Sequence, residues 1–134
     1  VSASVYCDII LIRFDEHPSE KTMNGFLYLA SPYTHPSPTI REERFQAACR
    51  ATAKLMLEGR CVFSPISHSH PVDTCIGTPQ SGDFWKMQDV PILRHASELV
   101  VLKLDGWEQS SGIKWEIELA RNLHIPVTFM EPVG

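Results

Sequence analysis

ELVVLKLDGWEQSSGIKWEIELA, residues 98–120, contains the pattern of a strand, a turn and a helix in succession. The apolar run at its start is typical of a buried strand. Ser110 and Ser111 then precede a helical pattern, and serines at such positions cap helices, whose first N–H groups can bind an anion. The segment therefore predicts a strand that leads directly into an anion-binding turn.

Glu116 is the most informative residue of the predicted helix over 112–123. At about 100° per residue, one face of this helix carries Ile113, Ile117, Ala120 and His124. Glu116 lies at the edge of that face, whereas Glu118 points away from it. A carboxylate there can attack an anomeric carbon or stabilise an oxocarbenium-like transition state, but a boundary glutamate can also simply form a helix salt bridge. The pattern alone leaves both interpretations open.

Strands alternate with helices on both sides of this segment. Apolar runs predict strands over 26–30, 61–63, 99–104 and 126–130. Helical periodicity predicts a helix between a Thr39–Glu42 capping box and Gly59, another over 83–96 that Pro91 should bend or restart, and the helix over 112–123. Residues 66–82, rich in Ser, His, Pro, Gly and Thr, are expected to form a long loop, and such loops are usually functional or disordered.

This alternation predicts an α/β fold with a parallel sheet of four or five strands. Ligands of such sheets bind beyond the carboxyl ends of the strands. Three polar turns follow strands, over 28–33, 64–70 and 105–112, and should gather at that edge. We therefore expect a small-molecule pocket there.

Composition limits the possible classes of function. The 134 residues and 43% hydrophobic content suit one domain, which we expect over 23–134, with 1–22 as an appendage or edge strand. A formal net charge of −4 argues against a nucleic-acid polymer or an anionic membrane as the partner. The four cysteines include no C-x-x-C pair, and no apolar run is long enough to span a membrane. We expect buried free thiols and a cytoplasmic protein.

Other polar residues offer further or competing chemistry. Asp89 can supply a proton to a leaving group if a pocket raises its pKa, whereas Asp83 is interpreted as a solvated helix residue. His68, His70 and Asp73 have side chains that can bind a metal, but no further ligand at a defined spacing accompanies them. The spacing therefore favours histidines that line a pocket or form loop hydrogen bonds.

Four segments together resemble the nucleoside 2-deoxyribosyltransferase-like superfamily: YLASPY (28–33), VFSPISHSH (62–70), Gln88-Asp89 and SSGIKWEIELA (110–120). That superfamily includes nucleoside deoxyribosyltransferases and 2′-deoxynucleoside 5′-monophosphate N-glycosidases, and the FSP-x-x-HSHP loop resembles that of a small subfamily. The resemblance implies a flavodoxin-like three-layer α/β/α fold over residues 26–130.

The resemblance also implies roles for individual residues. The segment from Ser110 to Glu116 fits the family's nucleophile pattern, so Glu116 is expected to be the nucleophile, Asp89 the general acid and Tyr28 a residue near the sugar. Ser110 stands where the nucleotide N-glycosidases carry a phosphate-contacting Ser and the deoxyribosyltransferases usually carry Asp, which favours a phosphorylated substrate. Ser31 departs from the family pattern, in which many members carry Gly.

We therefore predict an enzyme that cleaves or exchanges the N-glycosidic bond of a nucleoside or, preferably, a nucleoside 5′-monophosphate. Its predicted substrate-binding residues are Ser31, Ser64, His68, Ser110, Ser111 and Gly112. The mechanism needs neither a cofactor nor a metal, and the resemblance implies a homo-oligomer. The alternatives are a nucleotide-binding module without catalysis and a metal-dependent phosphohydrolase that uses the loop of His68 and His70.

Overall fold

A computed structural model describes residues 25–134. In chain order the elements are β1 (Leu27–Ala30), α1 (Pro38–Leu57), β2 (Val62–Phe63), α2 (Pro65–Ile76), α3 (Gly82–Leu93), β3 (Glu98–Leu102), a 3-10 turn (Trp107–Gln109), α4 (Ser111–Asn122) and β4 (Val127–Met130). The appendage predicted over 1–22 lies outside the described residues.

The four strands form one parallel sheet in the order β2-β1-β3-β4. This confirms the predicted α/β fold. After β1 the chain crosses to β2 on one side of the sheet, and it then returns to β3 on the other side of β1. In an open parallel sheet, such a reversal of strand order leaves a crevice at the carboxyl ends of the two central strands. The fold therefore places the expected ligand site beyond β1 and β3.

Both faces of the sheet are covered, which confirms the three-layer architecture. One face of β1 and β3 packs against α3 and α4 through a cluster that contains Tyr28, Ala30, Leu93, Leu99, Val101, Ile113 and Ala120. The other face packs against α1 through Leu27, Leu29, Ala51, Leu55, Val100 and Leu102. Because β1 and β3 are buried on both faces, their sequences are apolar runs without polar alternation, apart from Glu98 at the start of β3.

The first helix begins two residues earlier than its predicted capping box. Ser37 is the N-cap, its hydroxyl accepts a hydrogen bond from the Ile40 N–H, and Pro38 occupies the first helical position. Proline suits that position because the N–H it lacks would have no helical partner. Gly59, at φ +87°, follows the end of the helix as predicted.

The prediction of a loop over 66–82 is wrong, because its first part is the helix α2. Ser64 caps this helix by accepting a hydrogen bond from the Ser67 N–H at 3.2 Å, and Pro65 is its first residue. Gly77, at φ +76°, ends it in the left-handed conformation. Its composition of Ser, His and Pro resembles that of a loop, but capping and packing against α1 and β1 override these weak propensities.

Three smaller expectations also need correction. The restart expected at Pro91 does not occur, because α3 continues through it and ends two residues later at Leu93. His124 does not share the buried face of α4, because it lies beyond the end of the helix and is exposed at φ +58°. The cysteines are not all buried, since Cys61 and Cys75 are exposed and Cys49 is half-buried.

Candidate active site

A cavity of about 560 Å³ opens where the carboxyl ends of β1 and β3 meet. All three polar turns predicted to gather there contribute to it: Ser31 and Tyr33 after β1, Pro65 and Ser69 after β2, and Ser110 to Gly112 after β3. Helix α3 adds Trp85, Lys86 and Asp89. The predicted convergence of the turns is therefore confirmed.

Glu116 lies on the buried side of α4, with 6% of its surface exposed, and its carboxyl group lines the cavity. Burial raises the pKa of this carboxyl to about 8, with a further upward effect from Asp89 and an opposing effect from Tyr28. No salt bridge within residues 25–134 reaches it. Glu118, two residues further along the helix, is exposed as predicted.

Tyr28 lies beneath Glu116 in β1 and is fully buried. Burial raises the pKa of its hydroxyl well above the usual value, and the charges of Glu116 and Asp89 raise it further. Among the described residues, no group lies at hydrogen-bonding distance and angle from this hydroxyl. It nevertheless interacts closely enough with Glu116 to favour the charged form of that carboxyl. Tyr28 therefore keeps its proton and can donate it in a hydrogen bond to Glu116.

Asp89 is another carboxyl group that lines the cavity, and it lies half-buried on α3. Burial raises its pKa to about 6, while His68 has a lowering effect. Asp83, one and a half turns earlier, is exposed as predicted. Two carboxyls in one cavity thus have pKa values that differ from each other and from those of free carboxyls, a pattern common at catalytic sites.

The N-terminus of α4 forms another wall of the cavity. The Ser110 hydroxyl accepts a hydrogen bond from the Ile113 N–H at 3.2 Å, and the Ser110 carbonyl accepts one from the Lys114 N–H at 3.1 Å. The N–H groups of Ser111 and Gly112 precede these bonds, so they are available to an anion. A Cβ at Gly112 would lie 4.0 Å from Glu116 Oε1, which places this N-terminus directly beside the carboxyl.

The remaining predicted binding residues lie in different surroundings. Ser31 lines the cavity, is 6% exposed, and has a hydroxyl without a partner among the described residues. Ser64 is buried and caps α2, so its hydroxyl accepts a backbone hydrogen bond instead of lining the cavity. His68 is exposed, with its ring 5.9 Å from that of Phe63, and is also outside the lining.

Arg44 is a lining residue that sequence reasoning missed. Its guanidinium donates hydrogen bonds to the carbonyls of Thr34 and Asp105, each at 3.0 Å, and so joins the loops that follow β1 and β3. At Gly106, a Cβ would come within 2.8 Å of the guanidinium. In the sequence, only the glycine of this turn indicates a close approach. It does not show that the approaching residue is the arginine 62 positions earlier.

Both ring nitrogens of His70 already have hydrogen-bond partners. Nδ1 lies 2.6 Å from the Tyr33 hydroxyl, and Nε2 lies 2.8 Å from Glu42 Oε2. No group of three potential metal-binding side chains occurs anywhere in residues 25–134. His68, His70 and Asp73 therefore do not converge as the metal-dependent alternative requires.

The family model described as "Domain of unknown function (DUF1937)" matches residues 25–132. The chain belongs to this family. The DUF1937 chain is also similar to the solved structure of the 2-deoxyribosyltransferase from Bacillus psychrosaccharolyticus, with a TM-score of 0.56 and 25% identity over 81% of this chain and 73% of that one. That enzyme is described as a biocatalyst for the synthesis of nucleosides. A comparison with curated proteins finds no significant match.

The similarity gives this DUF1937 member a nucleoside deoxyribosyltransferase-like fold, in agreement with its four-stranded parallel sheet. None of the helices in residues 25–134 has the length and apolar content needed to cross a membrane.

Proposed function

We propose that this protein cleaves or transfers at the N-glycosidic bond of a nucleoside or nucleoside 5′-monophosphate. The observation that carries the proposal is the pair of Glu116 and Asp89, two carboxyls with raised pKa values that line one cavity. The cavity volume of about 560 Å³ is typical of small-molecule sites. The activity of the similar 2-deoxyribosyltransferase gives independent support.

The two pKa values suggest how the pair divides the chemistry. Between about pH 6 and pH 8 the pair holds one proton, which burial favours on Glu116 in the free protein. In the bound state we propose that this proton resides on Asp89. The transfer makes Glu116 a carboxylate nucleophile and Asp89 a general acid in a single step, with the hydrogen bond from Tyr28 stabilising the new carboxylate.

The glycosidic bond is then exchanged in two steps. Glu116 attacks the anomeric carbon, the bond from that carbon to the base breaks, and Asp89 transfers its proton to the departing base nitrogen. Water or a second base then attacks the anomeric carbon, loses a proton to Asp89 and releases Glu116. Water as the acceptor gives hydrolysis, whereas a base gives transfer. The groups in these steps belong to the protein, its substrate and the acceptor.

A 5′-phosphate is proposed to bind at the N-terminus of α4. The N–H groups of Ser111 and Gly112 and the Ser110 hydroxyl converge there, and the helix dipole favours a negative charge. Lys86 and Arg44 line the same cavity and add positive charge. Gly112→Ala tests this assignment, because the added methyl would occupy space beside the Ser110 hydroxyl, where we propose that the phosphate binds. The methyl would contact Ser110 and Glu116 at ordinary distances, without a backbone clash. We expect KM for a monophosphate to rise about ten-fold and KM for the matching nucleoside to change less.

A panel of ribo- and deoxyribonucleoside 5′-monophosphates and matching nucleosides tests the activity, with and without an added acceptor base. Chromatography follows the release of base by the wild type, Glu116→Gln and Glu118→Gln. Release by the wild type and Glu118→Gln, but not by Glu116→Gln, supports the proposal. If no compound loses its base while one of them raises the melting temperature, the protein is a nucleotide-binding module.

A further inference from the structure

Tyr33 forms part of a hydrogen-bonded chain that the proposed chemistry does not use. Its hydroxyl lies 2.6 Å from His70 Nδ1, and His70 Nε2 lies 2.8 Å from Glu42 Oε2. This series of hydrogen bonds runs from the exposed surface of α1, through α2, to the loop after β1. Tyr33 itself lines the cavity, so one end of the series faces the space proposed for the substrate.

Packing fixes the imidazole of His70 at the centre of this chain. Its ring stacks on that of Phe45, with centroids 4.2 Å apart and planes inclined by 22°. The ring of Tyr33 meets it edge-on, at 5.6 Å and 75°. With two aromatic neighbours on different sides, the imidazole cannot rotate to exchange its nitrogens, so each nitrogen has one partner.

The chemistry of the three groups sets the direction of the hydrogen bonds. A hydrogen bond from Gln46 lowers the pKa of Glu42, as does its contact with His70, so Glu42 is an ionised group that can only accept. The Nε2 atom must therefore carry a hydrogen. In the neutral imidazole the other nitrogen, Nδ1, is then an acceptor, and the Tyr33 hydroxyl must donate to it. The tyrosine proton points to His70, and the oxygen lone pairs are left for other donors.

The neighbours of Tyr33 are consistent with this arrangement. Burial raises the pKa of its hydroxyl, and the charge of Asp73 raises it further, so the hydroxyl keeps the proton that it donates. Arg41 lowers that pKa through its charge and through a hydrogen-bonding effect on the hydroxyl, while its guanidinium also donates hydrogen bonds to the carbonyls of His35 and Pro36. Asp73 also lines the cavity, so this wall presents two acceptors.

We propose that Tyr33 is a specificity-determining residue whose oxygen accepts a hydrogen bond from the substrate, with Glu42 and His70 as positioning residues that hold its proton away from the cavity. The inference rests on the proposed function for the identity of the substrate. Its ligand carries an N–H or O–H donor at this wall, either an exocyclic amine of the base or a hydroxyl of the sugar.

Paired ligands separate these two sources. Adenine and hypoxanthine monophosphates, like those of cytosine and uracil, differ by an exocyclic amine against a keto oxygen, and the adjacent ring nitrogen carries a hydrogen only in the keto base. Ribo- and 2′-deoxyribonucleotides of one base differ by a single hydroxyl. Titration calorimetry gives the affinity ratio for each pair, and base release gives the corresponding ratio of kcat/KM. Selectivity is the useful measurement, because a purely structural role would change all affinities together.

Tyr33→Phe removes the oxygen and keeps the ring. We expect it to lower the preference for the donor-bearing ligand about ten-fold, in the base pairs or in the sugar pair, because one hydrogen bond of this kind is lost. Glu42→Gln can donate as well as accept, so it no longer fixes the imidazole, and we expect a smaller loss of about three-fold. Glu43→Gln is the matched control, an exposed glutamate next to Glu42 on the same helix, and should leave every ratio unchanged.

Wild-type ratios that persist in Tyr33→Phe, for both base and sugar pairs, would overturn the inference, as would a wild type without any preference. The binding ratios decide this point even if no nucleotide loses its base, in which case the proposed function fails alone. If base is released but Tyr33→Phe leaves the ratios intact, the inference fails alone.

Discussion

Two buried glutamates at opposite edges of the sheet have opposite surroundings. Glu98 is the first residue of β3, is 9% exposed, and forms an ion pair with Arg60. Glu116 lies beyond the carboxyl ends of the strands, is 6% exposed, and faces Tyr28 and Asp89 without a cationic partner among the described residues. A buried carboxyl with a cation is stabilised in its charged form, whereas one without a cation is driven towards the neutral form.

We propose that this difference separates a structural role for Glu98 from a functional role for Glu116. The charge of Glu98 is balanced by Arg60, although its Oε1 atom has no hydrogen bond of standard geometry within residues 25–134. At the other edge, the hydroxyls of Tyr28 and Ser31 are buried without hydrogen-bond partners in residues 25–134, close to a carboxyl that burial holds near pKa 8. Unpaired buried polar groups reduce stability, so we propose that the ligand pairs the Ser31 hydroxyl and that the Glu116 carboxylate pairs the Tyr28 hydroxyl in the bound state.

Glu116→Gln should have the largest effect on activity. The amide keeps the shape of the side chain but cannot act as a nucleophile, so we expect kcat for base release to fall by at least about 10⁴-fold. Glu118→Gln, on the exposed face of the same helix, should retain wild-type kcat. Similar rates for Glu116→Gln and the wild type would remove Glu116 from the chemistry.

Asp89→Asn should have the next largest effect and should also change the pH profile. In the wild type, kcat/KM should follow a bell between about pH 6 and pH 8, because activity requires one proton on the pair. Loss of the acid should lower kcat about 10²- to 10⁴-fold. In the variant no proton is required on the pair, so the remaining activity should rise with pH as Glu116 ionises and should show no falling limb at high pH. A wild-type profile that is flat from pH 5 to pH 9 would contradict the shared proton.

Glu116→Gln, which should remove activity, should also stabilise the protein. The pKa of Glu116 is about 8 in the folded state, against 4.5 for a free glutamate, so the folded state binds more protons between these values and wild-type stability falls as pH rises through them. Glutamine cannot ionise. Glu116→Gln should therefore gain on the order of 2–4 kcal/mol in free energy of unfolding above pH 8, and little below pH 4.5. Urea unfolding across this pH range tests it, and a pH-independent difference would count against the raised pKa.

Glu98→Gln should give the opposite result at the other edge. Removing the carboxylate leaves Arg60 without its partner, although 28% of the arginine side chain is exposed and water relieves part of the cost. We expect a loss of about 1–3 kcal/mol in free energy of unfolding and a kcat within about two-fold of wild type. Urea unfolding and base release measure the two quantities. A large loss of kcat in a folded variant would show that the two edges are not independent.

Much of the fold could be predicted because its signals are local. Continuous apolar runs marked the strands, and Ser110 before a periodic pattern marked the start of α4. Helix α2 was missed because Ser64 and Gly77, which cap it, surround a segment whose composition is that of a loop. In that segment, packing against α1 and β1 decides the conformation, and a single sequence does not display those contacts.

The site was predictable in part for a similar reason. Glu116 and Asp89 lie on helices whose phase can be read from the sequence, and the resemblance to a family gave them roles. The approach of Arg44 to Gly106, and of His70 to Tyr33, joins residues that are distant along the chain. No spacing rule connects such pairs, so only the folded structure reveals the wall that they form.

The central claim is that Glu116 forms a covalent bond with the sugar, and mass spectrometry of protein quenched during turnover tests it most directly. Trypsin cleavage after Lys114 and Arg121 places Glu116 and Glu118 on one short peptide, and fragmentation distinguishes them. We predict a glycosyl adduct on Glu116 in the wild type and none in Glu116→Gln. An adduct on another residue, or base release at the wild-type rate by Glu116→Gln, would contradict the account.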